Sequence, residues 1–201
     1  MIILGIESAA LTASTAIVTD GILTAEYTVN HKKTHSQTLL PMLDEICRMA
    51  ELDKTKIDAI AVSAGPGSFT GLRIGAATAK GLGLALERPI VPVPTLEGLA
   101  YNLYGTDALI CPVMDARRSQ VYNGLFRCRE TLETVEPSRA VSVSDLIREL
   151  NERGERVIFL GDGIPVVRGA AEALSVPYSF APAASNRQRA ASVASLGALY
   201  F

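Results

Sequence analysis

The stretch Gly65-Pro66-Gly67-Ser68-Phe69-Thr70-Gly71-Leu72-Arg73-Ile74-Gly75 limits the folds open to this chain more than any other. The run before it, Asp58 to Ser63, is short, apolar and partly β-branched, as a strand covered on both faces would be. Gly65 and Gly67 allow a sharp turn around Pro66, and Ser68 or Thr70 can cap the helix after it. Along that helix, expected over 70–87, Gly71, Gly75, Ala79 and Gly83 recur every four residues and form one stripe without side chains. Each interior glycine costs about 1 kcal/mol relative to alanine. Close packing against another backbone is the natural compensation, and either the chain's own sheet or a partner's helix could supply it.

The turn is not a common phosphate motif. A P-loop needs a lysine after its last glycine, where this chain has Leu72-Arg73, and the third glycine of a dinucleotide fingerprint falls one residue late.

The two halves of the 201 residues share one plan. Ile2 to Ile6 reads as a strand running into Glu7-Ser8. Thr12–Thr19 and Ile22–Val29 read as a hairpin about Asp20-Gly21. A helix over about 36–51 comes next, with Leu39, Leu43 and Ile46 on one face and Leu40 and Cys47 beside them; then come the 58–63 strand, the glycine turn and the striped helix. Ile90-Val91-Pro92-Val93 reads as an edge strand, and Thr95 caps a short helix towards Tyr104. In the second half, strands at 108–113, 120–126 and 133–143 precede a helix begun by Ser144-Asp145. A buried strand at 156–160, the turn Gly161-Asp162-Gly163 and a helix over about 165–174 complete the repeat.

Such a repeat predicts a duplicated α/β chain of the actin, sugar-kinase and Hsp70 ATPase class, with two lobes that each carry a mixed sheet flanked by helices. The lobes are expected at 1–104 and 105–201. The alanine-rich helix at about 186–200 can instead pack back on the first lobe.

In that class an acidic residue after the first strand helps hold a metal-nucleotide. Glu7 and Ser8, with Gly65, Gly67 and Ser68, are therefore the candidate nucleotide residues. Glutamate is longer than the usual aspartate, and the second-half turn makes a thin cradle. Asp115, Arg117 and Arg118 stand at a strand end, where they could bind an anion or lock the lobes together; the lock is preferred. His31 and His35 are spaced like paired metal ligands, but no third ligand accompanies them and Lys32-Lys33 intervenes, so no metal is expected. A serine hydrolase lacks its elbow motif.

A net charge of −2 gives no electrostatic reason for direct nucleic-acid binding. The apolar runs are short and no basic leader precedes the first strand, so a cytoplasmic protein without membrane attachment is expected. Cys47, Cys111 and Cys128 read as reduced structural thiols.

The glycine stretch, together with Ile3-Leu4-Gly5-Ile6-Glu7-Ser8, His35-Ser36 with Leu39-Leu40-Pro41, and Asp115-Ala116-Arg117-Arg118 with Val121-Tyr122, resembles the bacterial TsaB (YeaZ) family. The resemblance is specific through about residue 126, with Glu7 a departure from the usual aspartate. It implies an actin-like fold and a part in making threonylcarbamoyladenosine next to the tRNA anticodon. The chain would serve as a non-catalytic partner of a TsaD-type enzyme, which holds the metal and the adenylate, alongside a TsaE-type ATPase. Contact with tRNA would be indirect, and a homodimer would form when the chain is alone. It further implies that the helices at 36–51 and 70–87 form the partner interface through Leu39, Leu40, Leu43, Ile46, Cys47, Gly71, Leu72, Gly75, Ala79 and Gly83. The alternative is an ATPase or small-molecule kinase of the same fold. A metallopeptidase, a name attached to relatives, fails on ligand count.

Overall fold

A computed structural model describes residues 1–31 and 34–201. The elements in chain order are β1 (Ile2–Glu7), β2 (Thr12–Thr19), β3 (Ile22–Asn30), α1 (His35–Met49), β4 (Ala59–Ser63), α2 (Phe69–Leu86), β5 (Ile90–Val93), α3 (Thr95–Tyr101) and β6 (Thr106–Arg117). After these come β7 (Gln120–Cys128), β8 (Leu132–Ser142), α4 (Val143–Arg153), β9 (Val157–Leu160), α5 (Ile164–Val167), β10 (Tyr178–Phe180) and α6 (Ala190–Tyr200). No described helix is long and apolar enough to cross a membrane.

The chain forms two compact units, one of Met1–Gly98 with Gln188–Phe201 and one of Leu99–Arg187. The boundary falls inside α3 rather than at 104/105, and α6 counts with the first unit.

In the first unit the sheet order is β3-β2-β1-β4-β5. β1 pairs antiparallel with β2 and parallel with β4, and β5 continues the parallel run. One face packs on α1 and α2 through Leu4, Ile6, Leu39, Leu43, Ile46, Ile60 and Val62. The other face carries α6, which comes so close that a Cβ at Gly5 would lie 2.5 Å from the Ala190 carbonyl. α6 is also pinned at its start, where Arg189 Nε donates to Glu26 Oε2 at 3.1 Å and the Ala190 amide donates to buried Ser14 Oγ at 3.0 Å. These bonds and that packing place the last helix.

The second unit repeats the order as β10-β9-β6-β7-β8, which is the duplicated actin-like plan. Its core gathers Leu109, Val113, Leu125, Leu146, Leu150 and Phe159 under α4. Ser142 rather than Ser144 caps α4, accepting from the Asp145 amide at 3.1 Å.

The repeat is imperfect. The expected helix over 165–174 breaks into α5 and a separate turn of 3-10 helix at Ala170–Ala173, with Gly169 between them. The short strand β10, pairing parallel with β9, was not expected. Three residues between Pro177 and Ala181-Pro182 leave too little periodicity to be read as a strand.

The stripe of α2 settles against the chain's own sheet. Gly71, Gly75, Ala79 and Gly83 are its buried positions. A Cβ at Gly71 would stand 2.1 Å from the Ser8 carbonyl and one at Gly75 2.2 Å from Ser8 Oγ, whereas one at Gly81 meets nothing within 4 Å. Gly71→Ala should therefore lower stability by about 1–3 kcal/mol, because backbone must shift. Gly81→Ala should raise it by about 0.5–1 kcal/mol. Urea denaturation of the two variants beside the parent measures both signs.

Four side chains tie β8 to α4. Glu149 accepts from Arg153 at 2.8 Å and from Arg139, while Glu136 accepts from the same two arginines at 3.3 and 3.2 Å. Burial pushes the Glu149 carboxyl upward, but the hydrogen bonds from Arg153 and Arg139 outweigh it and hold the group below its ordinary value of 4.5. The folded form is thus favoured above that value, and this contribution drains away as pH falls through the depressed one. Glu149→Gln should cost about 1–2 kcal/mol at neutral pH, allowing for partial exposure, and should flatten the acid limb of a stability-against-pH curve. Thermal melts between neutral and acid pH read that difference directly.

Candidate functional site

The turn after β1 is the most tightly tied place in the first unit. Ser8 is fully buried; its hydroxyl donates to the Gly71 carbonyl at 2.9 Å, and its amide donates to Ser63 Oγ at 3.3 Å. Glu7, also buried, accepts the Ala9 amide at 2.6 Å. The Ser68 amide donates to the Ala9 carbonyl at 2.7 Å, and Gly67 lies so close that a Cβ would reach within 2.3 Å of that carbonyl oxygen. Gly65 exchanges bonds with Thr95, donating to Oγ1 at 3.1 Å and accepting the Thr95 amide at 2.8 Å. Ser68 Oγ accepts the Gly71 amide at 3.3 Å, so Ser68, not Thr70, caps α2.

A phosphate cradle needs amide donors aimed into open space. The donors just named on Ser8, Gly65, Ser68 and Gly71 are all spent on the protein itself. The set Glu7, Ser8, Gly65, Gly67 and Ser68 is brought together as the sequence suggests, but it forms a clasp between the first turn and α2.

His35 belongs to the same clasp. Its Nε2–H donates to the Ala10 carbonyl at 2.7 Å, which draws the start of α1 onto the turn. His31 lies instead beside Tyr27 and Val29 of β3, lining a groove with Pro41 and Met42 of α1. The two histidines do not act as a pair, and Lys32-Lys33 lies outside the described residues. Among the described residues no three His, Cys, Asp or Glu side chains converge as metal ligands. Sequence reasoning missed the structural part of His35; its place at a helix start was the available signal. The cysteines are buried and free, and burial raises the pKa of each thiol, so none is activated.

The interface expected on α1 and α2 needs correction residue by residue. Leu39, Leu43, Ile46 and Cys47 lie in the first unit's own core, as do Gly71, Gly75, Ala79 and Gly83 of the stripe. These positions are already covered, because the broad apolar face of α1 wraps over both β2 and α2. Leu40 is 56% exposed, and Leu72 is half-buried at a groove. With the stripe turned inward, the opposite side of α2 faces outward and bears Phe69 at 68% and Leu84 at 83% exposure. The Arg73 guanidinium lies 3.8 Å over the Phe69 ring. Beside them an apolar groove of about 540 Å³ runs between α2 and the β4–β5 end of the sheet, lined by Phe69, Leu72, Ala76, Val62, Ile90 and Pro92. Of the ten residues expected at an interface, Leu40 and Leu72 are the two that keep appreciable exposure in the isolated chain.

In the second unit Arg117, Arg118 and Ser119 form the β6–β7 turn, each with a positive φ, at 66°, 52° and 58°. Asp115 Oδ1 accepts the Arg117 amide at 2.7 Å. Both guanidinium groups are exposed, and no carboxylate among the described residues lies within ion-pairing distance of them. Gly161-Asp162-Gly163 is folded onto its own unit: the Gly163 amide donates to the Val113 carbonyl at 2.9 Å and Arg187 donates to the Gly161 carbonyl at 2.7 Å.

Known proteins resemble this chain in sequence and in fold. The family profile of TsaD, tRNA N6-adenosine threonylcarbamoyltransferase, matches residues 23–199. The tRNA threonylcarbamoyladenosine biosynthesis protein TsaB of Bacillus subtilis is 38% identical over 162 residues, an alignment covering 80% of this chain and 71% of that protein. The Escherichia coli protein of the same name is 34% identical over 68% of this chain and 63% of its own length. The solved structure of YeaZ from Pseudomonas aeruginosa superposes with a TM-score of 0.76 at 24% identity, covering 98% of this chain and 91% of that one. The chain belongs to the TsaB (YeaZ) family of tRNA threonylcarbamoyladenosine biosynthesis proteins.

Proposed function

We propose that the chain is a non-catalytic subunit in the making of threonylcarbamoyladenosine on tRNA, and that it works by seating a TsaD-type catalytic subunit on the outward face of α2. The observation that carries this reading is the exposed row Phe69, Arg73 and Leu84 beside the apolar groove. An unpartnered apolar patch on a helix whose other side is packed without side chains marks a protein contact. Leu40 of α1 is exposed at a separate groove, beside Leu82 and Leu86 of α2.

The chemistry of the reaction falls to the partner, which would supply the metal and bind the adenylate, with a TsaE-type ATPase as a further component. The contribution of this chain is a shift of population: binding stabilises the arrangement of the enzyme that is competent for transfer. Transfer RNA reaches the chain through the complex, in keeping with its slight net negative charge. The clasp around Ser8 supports a chain without a nucleotide of its own.

Phe69→Ala and Leu84→Asp should each weaken pairing with a TsaD-type protein by about 30-fold, the loss of one interface anchor. Both should leave the fold intact, because the side chains are already in water. Co-purification, followed by a threonylcarbamoyladenosine assay with and without this chain, measures the effect. Unchanged pairing in both variants would remove α2 from the interface.

Calorimetry of the isolated chain with Mg-ATP should show no saturable binding in the micromolar range. Binding with turnover would establish the kinase or ATPase reading instead.

A further inference from the structure

In the second unit Arg127, Arg129, Arg139, Arg148 and Arg153 each face a carboxylate, Arg168 lies over the Phe180 ring, and Arg187 donates to a carbonyl. The guanidinium groups of Arg117 and Arg118 have no such partner among the described residues. They stand at the tip of the β6–β7 hairpin, where Arg117 is opposite Gln120 and Arg118-Ser119 make a two-residue loop. Both loop residues have a positive φ, which an Asn-Gly pair adopts most cheaply. Arg117 is left-handed as well, just after the ladder shifts register between Asp115 and Arg117. Three side-chain-bearing residues in a row thus hold a conformation that disfavours a Cβ. The turn is nonetheless anchored at both ends. Asp115 Oδ1 accepts the Arg117 amide at 2.7 Å, and the Ser119 carbonyl accepts the amide of Val143, the first residue of α4, at 3.2 Å.

We propose that this turn is a direct contact for the sugar-phosphate backbone of tRNA, with Arg117 and Arg118 each meeting a phosphate and Ser119 and Gln120 adding neutral donors. The inference rests on the function proposed above, since the chain meets tRNA as part of the complex. It replaces a wholly indirect contact with one named place on the chain.

The chemistry of the turn selects that ligand. Arg117, Arg118, Ser119 and Gln120 are consecutive and all exposed, and each side chain ends in a hydrogen-bond donor. Guanidinium, hydroxyl and amide groups are those that meet phosphate and sugar oxygens. Four exposed residues at a hairpin tip enclose no cavity for a small anion, so the matching ligand is a surface that carries its own row of charges. An RNA backbone is such a surface. Two phosphate contacts are too few to hold RNA by themselves at physiological salt, which agrees with the net charge of −2 on the whole chain. They add to binding once the catalytic subunit has brought the RNA alongside. Anchoring of the turn to Asp115 and to α4 keeps the two guanidinium groups from having to be ordered at that moment.

Fluorescence anisotropy of an unmodified tRNA transcript, titrated with the complex of this chain and a TsaD-type subunit at salt concentrations from about 50 to about 200 mM, tests this. Arg117→Gln combined with Arg118→Gln should weaken binding about tenfold at the lowest salt and reduce the slope of log K against log salt by about 1.5. In the modification assay the same variant should raise KM for tRNA and leave kcat unchanged. Arg117→Lys combined with Arg118→Lys should restore the slope, because the charges return. Arg129→Gln removes a charge already matched by Asp107 and should change neither quantity. Arg118→Asn combined with Ser119→Gly relieves the turn, so this variant should melt about 2–4 °C higher and yet bind tRNA more weakly than the parent. A parent complex that fails to form, or that forms and binds no tRNA, would overturn the function proposed above and this inference with it. Where the parent complex does bind tRNA, four results would overturn this inference alone: a double glutamine variant that binds as the parent does, an equal loss in Arg129→Gln, a relieved turn that gains no stability, or a glutamine variant that no longer pairs with the catalytic subunit in the absence of RNA.

Discussion

The hydrogen bond from the Ser8 hydroxyl to the Gly71 carbonyl, made possible by two glycines with no Cβ to obstruct it, is the contact on which the first unit turns. It brings the β1–β2 turn, the β4–α2 turn and the start of α1 into one clasp, with His35 reaching in from the side. A buried hydroxyl and a helix carbonyl satisfy each other there, and the glycine faces let the backbones approach. The conformational cost of glycines within a helix is offset by this proximity.

The clasp bears on function in two ways. It engages the amides of Ser8, Gly65, Ser68 and Gly71 within the protein itself. It also fixes the rotation of α2 about its own axis. With Gly71, Gly75, Ala79 and Gly83 turned to the sheet, Phe69, Arg73 and Leu84 must face away from it. That side of the helix is the one left in solvent.

The second unit uses the same device in altered form. Gly163 donates to the Val113 carbonyl within β6 much as Ser68 donates to Ala9 after β1, and Gly161 comes as close to Val113 as Gly67 does to Ala9. Beyond the turn the two units differ. A long helix in the first unit is replaced by a broken one, and the arginine–glutamate ties between β8 and α4 brace the opposite end of that sheet.

Local chemistry written in the chain determined the succession of elements, the hairpin at Asp20-Gly21, the cap of α2 at Ser68 and the repeat of one plan, because periodicity and turn residues act over a few positions. The family was legible for the same reason: its signature is a contiguous run from Gly65 to Gly75. The stripe on α2 was equally plain, but a row of small residues says only that something approaches, not what. Whether a sheet of the same chain or a foreign helix fills the space depends on where Ser8, sixty-three positions from Gly71, comes to rest. The attachment of α6 to the first sheet likewise rests on Glu26 meeting Arg189 across 163 positions. Such long-range meetings are decided by packing the whole unit at once, and tertiary structure alone reveals which face each helix has left to offer.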